Sequence, residues 1–187
     1  MIRNIQNVED DIITMKRIIK QMLLSDPDIL ETLNNPKIEI DMDGYDDPDV
    51  DWIGPDDFLD NNIYDFVRVP KIQDTTGSYV CFTVDDIEDH RFNEVMKKQY
   101  IQFHAICHLD EMKTEYGISR HDLLGYLIRD RINWTNKFGL QFKLIENKER
   151  SVDGDYYCRT LVFEATKPNH LNYGRMDGKN DRFAAGR

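Results

Sequence analysis

Between residues 98 and 109 apolar and polar side chains alternate: Ile101, Phe103, Ala105 and Cys107 fall on one side, and Gln102, His104 and His108 on the other. A period of two marks a strand with one buried face. Any fold for this chain must therefore contain a sheet. Further runs rich in β-branched and aromatic residues lie at 63–70, 79–84, 140–144 and 157–163, and Thr75-Thr76-Gly77-Ser78 reads as a turn. The last two runs flank Ser151-Val152-Asp153-Gly154, whose Asp-Gly pair predicts a hairpin. The stretch 85–96 is polar and reads as a linking loop with a partly helical turn.

Helices are expected in three places. In 8–25, Ile12, Met15, Ile19 and Met22 recur at helical spacing, with acids leading and bases following, and Asp26-Pro27 stops the run. A short helical turn follows at 28–34, ending before Pro36. The clearest helix is 119–134, where Leu123, Leu124, Leu127, Ile128 and Ile132 form a stripe opposite Arg120, Arg129, Asp130 and Arg131. Ser119 followed by Asp122 resembles a capping box with Asp in place of Glu. Strands come in blocks and do not alternate with helices. This predicts an α+β fold, a mostly antiparallel β-sheet with helices packed on one face.

Residues 39–65 differ from the rest. They hold eleven acids and no Lys or Arg, and Gly44, Pro48, Gly54 and Pro55 break regular structure. This predicts a long acidic loop anchored by Trp52, Ile53 and Phe58. The segment after Pro168 is polar and net basic, with Arg175, Lys179, Arg182 and Arg187 against Asp177 and Asp181, and reads as an arm. The 187 residues then divide into a helical extension (1–38), an acidic loop (39–62), an α+β core domain (63–167) and a C-terminal arm (168–187).

A net charge of −11 speaks against general binding to nucleic-acid backbone or to anionic membrane surfaces. No apolar run approaches the ~20 residues of a membrane span. The first ten residues are acidic where a secretion signal would be apolar, so a cleaved signal is not expected. The three cysteines, Cys81, Cys107 and Cys158, each sit in an apolar run and read as buried free thiols.

Chemistry-bearing motifs are scarce. No CxxC, HExxH, GxSxG, P-loop or GxGxxG pattern occurs. Asp41 to Asp49 offers oxygen ligands, but Gly44 stands fourth from Asp41 where a calcium loop of the EF-hand type needs it sixth. His104 and His108 lie ~13 Å apart along a strand, too far to share a metal. Cys107 and His108, as strand neighbours, point to opposite faces and cannot form a dyad. Neither an enzyme, a metal nor a cofactor is expected.

The second half, from about residue 79 to 168, resembles tailed-phage neck proteins of the tail-terminator (tail-completion) type. The resemblance lies in an ordered pattern. An extended Val67-Arg-Val-Pro-Lys-Ile and the strand at 79–84 come first, then Tyr100-Ile-Gln-Phe-His-Ala-Ile-Cys-His. The helix Arg120-His-Asp-Leu-Leu-Gly-Tyr-Leu-Ile-Arg-Asp-Arg-Ile-Asn follows, and Phe138-Gly-Leu-Gln-Phe-Lys-Leu and Tyr156-Tyr-Cys-Arg-Thr-Leu-Val-Phe-Glu-Ala close it. The family implies a structural virion protein without catalysis, forming a ring, usually a hexamer, that contacts the tail tube protein and a head-proximal connector protein. DNA passes through such a ring without sequence-specific binding, and an acidic lumen suits that passage. The protein would be made in the bacterial host cytoplasm and end in the virion neck.

Candidate interface residues are Asp41, Asp43, Asp46, Asp47, Asp49 and Asp51 of the acidic loop, Lys148 and Arg150 of the hairpin, and Arg175 and Arg182 of the arm. A head-completion or stopper ring is the nearest alternative. Two other classes remain open: an acidic DNA mimic that inhibits a host nuclease, favoured by the acids of 39–65, and a metal-dependent enzyme using the same aspartates.

Overall fold

A computed structural model describes residues 11–33, 55–68, 76–88, 96–136 and 138–168. The first helix, α1 (Asp11–Leu24), buries Met15, Ile19, Met22 and Leu23 at the expected spacing. Ser25 closes it, its hydroxyl donating to the Met22 carbonyl. Asp26 then starts α2 (Pro27–Leu33): its carboxylate accepts from the Asp28 N–H at 3.1 Å, and Pro27 occupies the first helical position, where a missing N–H costs nothing. Arg131 also bonds the Asp26 carboxylate, which is only 2% exposed. One side chain thus caps α2 and ties it to α3 (Arg120–Ile132).

The sheet has five strands: β1 (Ile63–Tyr64), β2 (Ser78–Glu88), β3 (Met96–His108), β4 (Lys143–Asp153) and β5 (Tyr156–Pro168). Their order is β1-β2-β3-β5-β4. β1 runs parallel to β2, and the other three pairings are antiparallel. All three helices pack on one face, where Val80, Phe82, Val84, Ile101, Phe103, Ala105, Leu161 and Phe163 meet Ile19, Leu23, Ile29, Leu33, Leu124 and Ile128 in one core. The expected α+β architecture is the observed one.

Several boundaries differ from expectation, each for a physical reason. The run at 63–70 supplies only two strand residues. After Tyr64 the backbone is drawn toward α1, with Lys16 Nζ donating to the Asp65 carbonyl at 2.7 Å and Lys20 pairing with its carboxylate at 2.8 Å. β2 continues through the polar 85–88 because the Asp86 carboxylate finds partners inside the sheet: Lys97 at 2.5 Å, Lys167 at 3.3 Å and Gln99 at 2.9 Å. β4 begins at Lys143, later than expected, and runs on through the charged 145–150. It is an edge strand, so neither of its faces has to be apolar there. Phe142, just before it, packs edge-on against Phe138 and accepts the Trp134 N–H on its carbonyl.

The Ser119 hydroxyl makes no cap on α3, and its backbone carbonyl accepts the Asp122 and Leu123 N–H groups instead. The Asp122 carboxylate faces Arg159 of β5 at 3.3 Å. Gly125 explains how closely α3 lies on the sheet. A Cβ there would meet Arg159 Cγ at 3.0 Å.

Candidate functional site

Three regions of the described surface have functional character. The first is the β4–β5 hairpin, whose turn is Gly154-Asp155 and whose outer strand β4 has no further strand beside it among the described residues. Lys148 and Arg150 project from β4 with side chains 60% and 58% exposed. Both reach Glu146, at 3.2 and 3.1 Å, so the structure brings these two predicted interface residues together around one carboxylate. Alternating charge on an open edge blocks indiscriminate strand pairing and leaves the edge readable by a complementary partner. Asp41, Asp43, Asp46, Asp47, Asp49, Asp51, Arg175 and Arg182 lie outside the described residues, as do Trp52 and Ile53. Phe58, the third expected anchor, is buried.

The second region is the sheet face away from the helices. Tyr64, Cys81, Ile106, Tyr156 and Cys158 form a small cluster there. Beside it Gln102 donates to His104 Nε2 at 3.0 Å, which leaves His104 Nδ1–H for Thr160 Oγ1 at 3.2 Å. Such a ring is neutral, and burial, reinforced by nearby Arg150, lowers its pKa from 6.5. Cys158 Sγ stands 3.7 Å from the same Nδ1. The sequence-adjacent Cys107 and His108 face opposite ways, as their alternation predicts, but the β3–β5 register creates this different Cys–His neighbourhood.

That pair is not an activated nucleophile. Burial raises the Cys158 pKa, pushes Cys81 up to about 11 and Cys107 up to about 12, so the thiols hold their protons. Among the described residues no three His, Cys, Asp or Glu side chains are grouped to hold a metal ion.

The third region was not anticipated. A cavity of about 500 Å³ opens between α2, the loop after β3 and α3. Leu123, Leu127, Ile118 and Tyr116 supply apolar surface, and Asp28, Glu31 and Glu115 supply carboxylates. Arg120 shapes it from below. Its guanidinium donates to the Glu111 carbonyl at 2.6 Å and the Thr32 carbonyl at 2.7 Å, joining the loop to the C-terminal end of α2. With Arg120 committed to backbone, Lys113 is the other base in the lining, against three acids. Tyr116 is 66% and Ile118 47% exposed. The available signal was the width of the α3 stripe. Leu124, Ile128 and Ile132 fill the core and Leu127 packs against it while staying partly exposed, so the stripe runs past the core through Leu123.

The model of the YomW family matches residues 26–165, from the α2 cap into strand β5. No curated protein matches the sequence. One solved chain, from a structure titled "Virion of native gene transfer agent (GTA) particle", is similar at 14% identity and a TM-score of 0.49, with 83% of this chain and 95% of that chain covered.

Proposed function

This chain belongs to the YomW family, and from that premise we propose that it is a structural subunit of a tailed-phage particle. We place it at the neck, as the ring that terminates the tail tube and joins it to the head connector. The family is phage-associated. The observation that carries the neck assignment is the way the resembling pattern is built. Strand, strand, helix and hairpin, read from 79 to 168, form one contiguous unit of β2, β3, α3, β4 and β5. Among the described residues, nothing pairs with its β4 edge, and the hairpin and the Tyr126 side of α3 are exposed.

In this role the subunit assembles with copies of itself, and the tail tube and the connector meet the two ends of the ring. Net charge −11 suits a wall past which DNA must slide, since phosphate is held off and not bound. The buried, protonated thiols and the neutral His104 then serve packing, not turnover.

Fractionating a particle-producing lysate, with quantitative mass spectrometry of the particle band, tests the reading. Six copies per particle are expected for the tail terminator. Twelve would shift the subunit to the head-proximal ring, and recovery only outside the particles would overturn the structural role altogether.

A further inference from the structure

The α2–α3 cavity has the composition of a protein-docking groove, an apolar floor inside a charged rim. Its rim selects for sign. Asp28, Glu31 and Glu115 outnumber Lys113, with Arg120 already spent on carbonyls. The acidic segment 39–51 is repelled by such a rim. Residues 169–187 match it in sign, with Arg175, Lys179, Arg182 and Arg187 against Asp177 and Asp181, interleaved with Tyr173, Met176 and Phe183.

We infer that the groove receives the 169–187 segment of a second copy of this chain. Geometry favours a neighbour over the segment's own groove. The groove adjoins the end of the sheet where His108 pairs with Tyr156, whereas the chain leaves β5 at Pro168, opposite Met96 at the other end. Those ends are ~40 Å apart along β5. A segment turning back over its own sheet would spend about twelve residues on the return at ~3.4 Å each. Tyr173, Arg175, Met176 and Lys179 would be consumed before reaching the acids. Docking into a neighbour frees all of them. One copy's segment in the next copy's groove is a head-to-tail contact, which closes into a ring where the rotation between copies divides a full turn. The inference therefore rests on the self-assembly proposed above but not on the subunit's place in the particle.

The test is sedimentation equilibrium on the full chain and two charge-reversed forms. One carries Glu31→Lys and Glu115→Lys in the groove, and the other Arg175→Glu and Arg182→Glu in the segment. Each alone is expected to self-associate about ten-fold more weakly than the parent, because like charges now meet. An equimolar mixture of the two is expected to recover the parent's affinity, since each groove then finds an opposite segment on the other chain. Raising salt should weaken the parent and the mixture alike. Thermal melting checks that both variants keep the fold, and the segment variant leaves the described domain untouched.

A mixture no tighter than its components overturns the inference. If the chain carrying all four changes associates like the parent while the mixture does not, the segment lies in its own groove. A monomeric parent, or variants indistinguishable from it, also overturns the inference and leaves the groove to a different protein. Particle fractionation reads the neck assignment separately, so either can fail without the other.

Discussion

The two faces of the sheet are made from the same strands and differ in what covers them. On the helix side Phe82, Phe103 and Phe163 meet in a row, the first pair tilted and the second edge-to-face, with ring centroids 5.8 and 6.0 Å apart, and each is fully buried beneath the helices. On the other side Cys81, Ile106 and Cys158 are as well buried, but in a cluster of five residues grading directly into Thr160, His104 and Gln102. The comparison teaches that burial alone does not rank positions. The helix face buries large side chains that nothing else can replace. The other face buries Ile106 and two cysteines between Tyr64 and Tyr156, in a small cluster beside a hydrogen-bonded polar field, and can relax when one aliphatic side chain is lost.

The largest effect that tests this contrast is a pair of truncations. Phe103→Ala is expected to cost about 3–5 kcal/mol, because it leaves a cavity between Phe82 and Phe163 that the surrounding core fills only in part. Ile106→Ala should cost about 2 kcal/mol, the low end for such a deletion. Urea denaturation with a shared slope measures both. Equal losses would abolish the distinction between the faces.

A second effect tests how tightly α3 lies on the helix face. Gly125→Leu places a side chain against Arg159 and Leu161 and should lose about 1–3 kcal/mol by overpacking. Gly125→Ala should fall within about 1 kcal/mol of the parent, as gained helix propensity offsets a contact at 3.0 Å that Arg159 can partly yield. A Leu variant as stable as the parent would mean that the helix can ride away from the sheet.

The helix face was the more legible of the two in sequence. The stripe Leu124, Ile128, Ile132 and the alternation Ile101, Phe103, Ala105 each announce a period, and the structure buries them accordingly. β4 announced nothing from 145 to 150. An edge strand with charges on both faces has no alternation to read. β1 was overread because β-propensity at 63–69 could not reveal that Lys16, on a distant helix, claims the Asp65 carbonyl. Among candidate sites, Lys148 and Arg150 could be named from charge alone. The groove could not, since Asp28 and Glu31 meet Glu115 only after Arg120 has drawn α2 onto the loop. Such a site is a product of tertiary contact, and its one local trace was an α3 stripe wider than the core, running on through Leu123.

Acid sharpens the contrast further, because each face holds a group whose shift bears on stability below pH 7. Burial by itself would raise the Asp86 pKa, but hydrogen bonds and charge from Lys97 and Lys167 outweigh it and hold the carboxylate below 3.8. A depressed carboxylate lends stability that is present above 3.8 and lost as pH falls through the folded value. Asp86→Asn should therefore melt earlier than the parent at pH 7, and the gap should close toward pH 2. On the open face, burial lowers the His104 pKa from 6.5. The unfolded chain then binds a proton that the folded chain refuses, so stability present above 6.5 declines as pH falls through the folded value. His104→Gln should flatten melting temperature between about pH 7 and 5 while leaving the steeper fall below pH 4 in place. A parent whose melting temperature does not change between pH 7 and 5 would remove His104 from the balance.

The smallest expected effect lies on the β4 edge, where Lys148 and Arg150 stand at the margin of the face that carries His104. Lys148 and Arg150 share Glu146 in open solvent, with both cationic side chains more than half exposed. Exposed pairs of this kind contribute little, because two long side chains must be ordered for a contact that water and salt already weaken. Lys148→Ser together with Arg150→Ser should move the urea midpoint by less than the equivalent of about 0.5 kcal/mol. His104 supplies an independent reading, since Arg150 is the charge that adds to its burial. Removing that charge should raise the His104 pKa toward 6.5, followed by the imidazole resonances in an NMR titration. An unmoved stability with a moved His104 would leave the two cations free to serve an assembly contact. A loss beyond about 1 kcal/mol would instead make them part of what holds β4 to the sheet.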